Sequence, residues 1–195
     1  MDILFSDKRI VVGDKMRKPR KKHLFFLPIA AMLVLIYYFS ITVNFDNDKL
    51  AKRGVRNLID KSAMIEDVYI LQSISLGKTR YTLVEVNNKL FLLQLGDKLF
   101  NRYKITSINS FFGSARAQVF QASDGKYLLY YGRVENPWIK YVVINTVDKK
   151  YRINFSNTRN ILDYCKVEES LPTGDIVATY DYYDKDGKSI LNGSF

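Results

Sequence analysis

Chemistry needs convergent nucleophiles, bases or metal ligands, and this chain offers few. Its one histidine is His23 and its one cysteine is Cys165. His23 borders an apolar run, so no Ser-His or Cys-His nucleophile pair and no histidine-ligated zinc can be built beyond that run. A single cysteine excludes an internal disulfide and a cysteine-based zinc site, and Cys165 reads as a small buried apolar residue. No G-x-S-x-G elbow, P-loop or G-x-G-x-x-G pattern is present. Carboxylates able to do acid-base work on a glycan occur at Glu85, Asp97, Glu135, Glu168, Glu169 and Asp181. Their spacing selects no pair. The run from Asp181 to Gly187, DYYDKDG, superficially resembles a calcium loop. Aligning Gly187 with that loop's invariant glycine puts Tyr182 at the first ligand position and Gly193 where the bidentate glutamate belongs. Asp186-Gly187 therefore reads as a hairpin turn. No catalytic residue, cofactor or metal ligand is assigned, and an enzyme is not expected.

Recognition chemistry is better supplied. The chain has 14 tyrosines, 12 phenylalanines and a single tryptophan. Tyr131, Trp138 and Tyr182 are candidates for an aromatic recognition surface. The competing reading places the tyrosines in cross-strand pairs within a β core. Asn154-Phe155-Ser156 and Asn192-Gly193-Ser194 match the glycosylation sequon, which has meaning only in a eukaryotic lumen.

The elements that must carry these side chains are strands. From Val68 onward VYILQSIS, RYTLVEV, KLFLLQL, YKITSI, ARAQVFQA, YLLYYGRV, IKYVVINTV, YRINFSN and DIVATYDYY are short, rich in β-branched and aromatic residues, and mostly bounded by turn formers. Leu90 to Leu95 and Tyr141 to Val147, apolar on both faces, are expected to be central strands. Asn87-Asn88, Ser123-Asp124-Gly125 and Asp186-Gly187 are expected to close hairpins. The fold class is mainly β, an antiparallel β-sandwich or partly open barrel over residues 68–195. Residues 44–67 form a linker or stalk helix, with Leu50, Val55, Leu58, Ile59 and Met64 as its apolar stripe and Gly54 as a weak point.

Ahead of that lies LFFLPIAAMLVLIYYFSITV, residues 24–43, without a charge and about 30 Å long at the helical rise. It reads as a transmembrane helix. The net charge is +10, and half of it falls in the tail 1–23. Lys15, Arg17, Lys18, Arg20, Lys21 and Lys22 form a membrane-surface basic cluster that holds the N-terminus in the cytoplasm and leaves the β domain extracytoplasmic. A nucleic-acid partner is not expected, since the remaining chain is only mildly basic. A cleaved signal peptide is the competitor. The long run, the 23-residue tail and an exit reading SITVNFDND with no A-x-A pattern favour an uncleaved anchor.

The segment YLLYYGRVENPWIKYVVI, followed by YRINF and TYDYYDKDGKSI, resembles small single-pass membrane-anchored extracytoplasmic proteins of low-GC Gram-positive bacteria. In those a Y-G-x-x-x-N-P-x-I-K-x-V stretch precedes a final strand ending in Y-D-x-x-G. The resemblance implies topology and no active site. The segment LQLGDKLFNRYKITSI, with its G-D-x-L turn after a short tail and one span, is similar to the inner-membrane C-component of type II secretion systems. Topology and missing catalytic groups together point to a non-catalytic binding or scaffold protein of the cell envelope. Its partners would be the membrane and another envelope protein or a wall component. The alternatives are a transducer coupling ectodomain binding to the cytoplasmic tail, a secretion-system component, or a carboxylate-dependent hydrolase.

Overall fold

A computed structural model describes residues 26–45, 47–59, 67–99, 102–111, 115–156 and 159–193. The basic cluster Lys15 to Lys22 and the stripe residue Met64 lie outside these, as do the side chains of Leu58 and Asp97. The chain forms two units that divide between Ser40 and Ile41.

The first unit is described through helix α1, Phe26–Ile41, which has no charged residue and buries none of its side chains. The helix ends at Ile41, two residues short of the uncharged run, because Thr42 and Val43 are buried strand residues. Among the described residues no helix is long and apolar enough to cross a membrane, α1 having 16 described residues.

The second unit is mainly β, with strands making up 57% of the described residues in antiparallel sheets that include a half-barrel. The first sheet has the order β1-β5-β4-β3-β2, from Thr42–Asn44, Arg102–Phe111, Lys89–Leu99, Thr79–Val86 and Val68–Leu76. The second has the order β10-β7-β6-β11, from Asn160–Val167, Gly125–Arg133, Ala115–Ala122 and Gly174–Asp175. The third has the order β13-β12-β8-β9, from Ser189–Gly193, Thr179–Tyr183, Tyr141–Asn145 and Lys150–Asn154.

Side-chain alternation stacks these sheets. On β3, Tyr81 and Leu83 face the second sheet while Val84 and Val86 face helix α2, Asp48–Ile59. On β7, Tyr127, Leu129 and Tyr131 join the core shared with the first sheet, and Leu128 and Tyr130 join the core shared with the third. Because β7 lies in the middle layer, six successive residues from Tyr127 to Gly132 are buried. A strand apolar on both faces is what a middle layer demands. The expectation for Tyr141 to Val147 is corrected. In β8 only Val142 and Ile144 are buried, and Val147 is exposed, since the outer face of the third sheet meets no further layer.

Within residues 44–67 the described part is a short strand end and a helix packed on the β unit. Asn44 pairs with Arg102 across β1 and β5, and α2 packs on the first sheet through Ala51, Val55 and Ile59. Asn47 caps the helix, its Oδ1 accepting the Leu50 amide at 3.2 Å. The stripe is displaced from the expected one, with Ala51 buried and Leu50 45% exposed. Gly54 has a packing reason: a Cβ there would stand 2.5 Å from Cγ1 of Val43, so only glycine lets α2 approach β1 this closely.

Turns follow the sequence signals. Asn87 and Asn88 both take positive φ, at 47° and 65°, the geometry of a tight two-residue hairpin. The β12–β13 hairpin closes at residues 184–188, with Gly187 at φ 80°.

Candidate functional site

Two connections meet at one end of the third sheet. The first is Val134 to Lys140, between β7 and β8. Asn136 organises it, its Oδ1 accepting the Trp138 amide at 3.0 Å and its carbonyl accepting the Ile139 amide at 3.3 Å. Ile139 is buried and pins the loop to the core. The Lys140 amide donates to the Tyr183 carbonyl at 2.8 Å, and the Lys140 carbonyl accepts the Phe155 amide at 2.8 Å. With Ile139 inward, its neighbour Trp138 is left 73% exposed.

The second connection is the β12–β13 turn. Oδ1 of Asp184 accepts the amides of Asp186 at 2.9 Å and Lys188 at 2.8 Å. Asp184 therefore shapes the turn in the manner of an Asx motif, which explains the Asp-x-Asp-Gly run without an ion. Beside it Tyr141 and Tyr183 stack at 4.9 Å and 9°, and the guanidinium carbon of Arg152 sits 3.7 Å from the Tyr141 ring centroid. This cation-π stack stiffens the sheet face behind the turn.

Between the two connections lies an open groove of about 780 Å³, lined among others by Trp138, Lys140, Asp184, Lys185, Lys188 and Ile190. Three lysines and Asp186 accompany Asp184, one of whose oxygens is already committed to the turn. The two halves of the pattern noted in the sequence, N-P-W-I-K and Y-D-K-D-G-K, are distant along the chain and converge here. An exposed indole beside ammonium groups, of which that of Lys140 also donates to the Pro137 carbonyl at 3.2 Å, can bind an apolar or sugar-like face while pairing anionic groups. Across Pro137 is a second recess of about 470 Å³, lined by Arg133, Val134, Glu135 and Arg159. Nη2 of Arg133 pairs with Glu85 at 2.9 Å.

The expected aromatic surface does not assemble. Tyr131 is fully buried, its ring 5.0 Å from that of Phe111 and its hydroxyl donating to Gln118 Oε1 at 2.9 Å. Tyr182 is buried in the other core, its hydroxyl 2.9 Å from that of Tyr130. Both point inward because β7 and β12 each turn that face to another sheet, and of the three only Trp138 remains available. Lys140, Lys185 and Lys188 were not singled out in the sequence. Their signal was adjacency to Trp138 and to the Asp-Gly turn, which only the pairing of β12 with β8 makes spatial.

Three of the candidate carboxylates, Glu85, Asp181 and Glu168, are engaged with separate partners. Asp181 accepts from Asn145 Nδ2 at 2.8 Å. Glu168 accepts from Lys149 and from the Tyr151 hydroxyl, and these two hydrogen bonds, Lys149 first, hold its carboxyl down at about 2. Burial pushes the Cys165 thiol up to about 11, so the free cysteine is a poor nucleophile in the folded chain. Among the described residues no three His, Cys, Asp or Glu side chains converge to hold a metal ion. No protein-family model, curated protein or solved structure matches the chain.

Proposed function

We propose that this chain is a membrane-anchored extracytoplasmic binding protein of the cell envelope, and that its groove at Trp138 takes an anionic wall polymer. The anchor is supported by α1, which is apolar on every side and buries no side chain. A helix apolar all round belongs in a protein core or a bilayer. Continuing it by sequence to Leu24 gives an uncharged run of about 27 Å, close to the thickness of a bilayer core. The basic cluster ahead of the run sets the N-terminus on the cytoplasmic side.

The observation that carries the binding role is Trp138, exposed on a loop fixed by Asn136, Ile139 and Lys140 and flanked by three lysines. Surface indoles are rare outside recognition sites, and a pre-organised loop loses little entropy on binding. Phosphate or carboxylate groups spaced along a polyol chain match indole and ammonium groups together.

The test is retention of the detergent-solubilised full chain on immobilised glycerol-phosphate polymer, with a neutral glucan as the control matrix. Trp138→Ala and the pair Lys185→Ala with Lys188→Ala should each abolish retention while leaving the circular dichroism unchanged. Equal retention of the parent chain on both matrices, or of variants and parent on the anionic one, contradicts the proposal.

A further inference from the structure

Helix α2 has a second face that the core does not use. Ala51, Val55 and Ile59 pack on the first sheet. The opposite side carries Lys49, Leu50, Arg53 and Arg56, all exposed, with Lys52 beside them over the Tyr69 ring. Lys49, Arg53 and Arg56 follow one another at helical spacings of four and three, so they form a single basic stripe. Leu50 adjoins it, an apolar side chain 45% exposed within a cationic surface.

Chain length restricts where this stripe can act. Six residues separate the end of α1 at Ile41 from the start of α2 at Asp48. Even fully extended they reach only about 20 Å. With α1 in a bilayer, the reading on which this inference rests, α2 is confined to the neighbourhood of the membrane surface.

We infer that the basic face of α2 docks on the anionic phospholipid headgroups of the membrane that holds α1, with Leu50 entering the headgroup layer. The fit is electrostatic, each cation strengthening attachment roughly fivefold near an anionic surface and losing effect in salt. One apolar residue makes the contact shallow, as on other basic interfacial helices.

The test uses the full chain reconstituted in vesicles of phosphatidylcholine alone or mixed with phosphatidylglycerol. An environment-sensitive fluorophore is placed at Leu50→Cys in a Cys165→Ser background. The expected result is brighter, blue-shifted emission only with phosphatidylglycerol, reversed by high salt and by Lys49→Glu with Arg53→Glu. Emission that ignores lipid charge overturns the inference. Alkaline extraction of the same vesicles separates the two failures. Protein that resists extraction but shows no lipid-dependent emission refutes the docking alone, whereas protein released by extraction refutes the anchor and the docking with it.

Discussion

Gln72 ties β2 of the first sheet to β10 of the second, and its replacement should show it. It lies on β2 next to an irregularity in the pairing with β3, between Ile70 and Gln72. From there its side chain reaches β10 as though it were a strand residue. Nε2 donates to the Leu162 carbonyl at 2.9 Å, and Oε1 accepts the Leu162 amide at 3.0 Å. Strand β7 occupies one side of β10, so the peptide groups of Leu162 that point the other way have Gln72 as partner. Leu162 is fully buried. Gln72→Leu keeps the side-chain size and removes both bonds, leaving an orphaned amide and carbonyl at about 1–3 kcal/mol each. Part of that is recovered by the apolar side chain, so the net loss should be about 2–4 kcal/mol. For a chain of this size that is a fall in melting temperature of roughly 4–16 °C. Thermal unfolding of the full chain in detergent, followed by far-ultraviolet circular dichroism, reads it. Ser156, whose Oγ also accepts from Nε2 at 3.0 Å but at an exposed position, supplies the control. Ser156→Ala should cost less than about 1 kcal/mol. A Gln72→Leu chain as stable as the parent would refute the reasoning, because it would mean that these peptide groups need no partner.

Four further substitutions test the cores and one surface cluster. The Tyr81 hydroxyl is buried without a hydrogen-bond partner among the described residues and burial pushes its pKa up to about 12, so Tyr81→Phe should stabilise the chain by about 1 kcal/mol in urea unfolding. A loss of stability would show that the hydroxyl has a partner. Tyr130→Phe and Tyr182→Phe should each cost about 1–2 kcal/mol by stranding the other hydroxyl, and the double variant should cost less than the sum. Additive losses would deny the coupling. Glu168 titrates at about 2 in the folded chain against 4.5 ordinarily. A lowered folded value gives stability that is complete above the ordinary value and is lost as pH falls toward the folded one. Glu168→Gln should therefore be less stable than the parent at neutral pH and converge with it in acid, as read from urea midpoints across that range. A constant gap at every pH would remove Glu168 as the source.

The strands were legible from alternation and the hairpins from turn chemistry, since Asn87, Asn88 and Gly187 take positive φ that few residues adopt. Stacking was not legible. YLLYY reads as apolar from end to end, but only the layer order decides that Tyr131 is enclosed. Strand β10, NILDYCKV, escaped notice because Asp163 and Lys166 interrupt its apolar residues. They are tolerated because Ile161 and Val167 join one core and Leu162 the other, while Tyr164 and Lys166 stay exposed. A helix over Asp48–Ile59 is legible in the spacing of Leu50, Val55 and Ile59, but its buried face is not, since nothing in the sequence announces that Gly54 lets the backbone come against Val43 with Ala51 turned inward. At the groove, Trp138 was visible as a candidate and its lysines were not, because the partnership between the two connections is made by β8 pairing with β12.

Trp138 is the only tryptophan, so its emission reports the groove and nothing else. The full chain in detergent, titrated with glycerol-phosphate polymer while that emission is followed, should show a saturable change that a neutral glucan of equal length does not produce. The change should weaken with salt and with Lys188→Ala. Emission that stays constant through the titration, with Trp138 exposed as it is, would contradict a binding role for the groove.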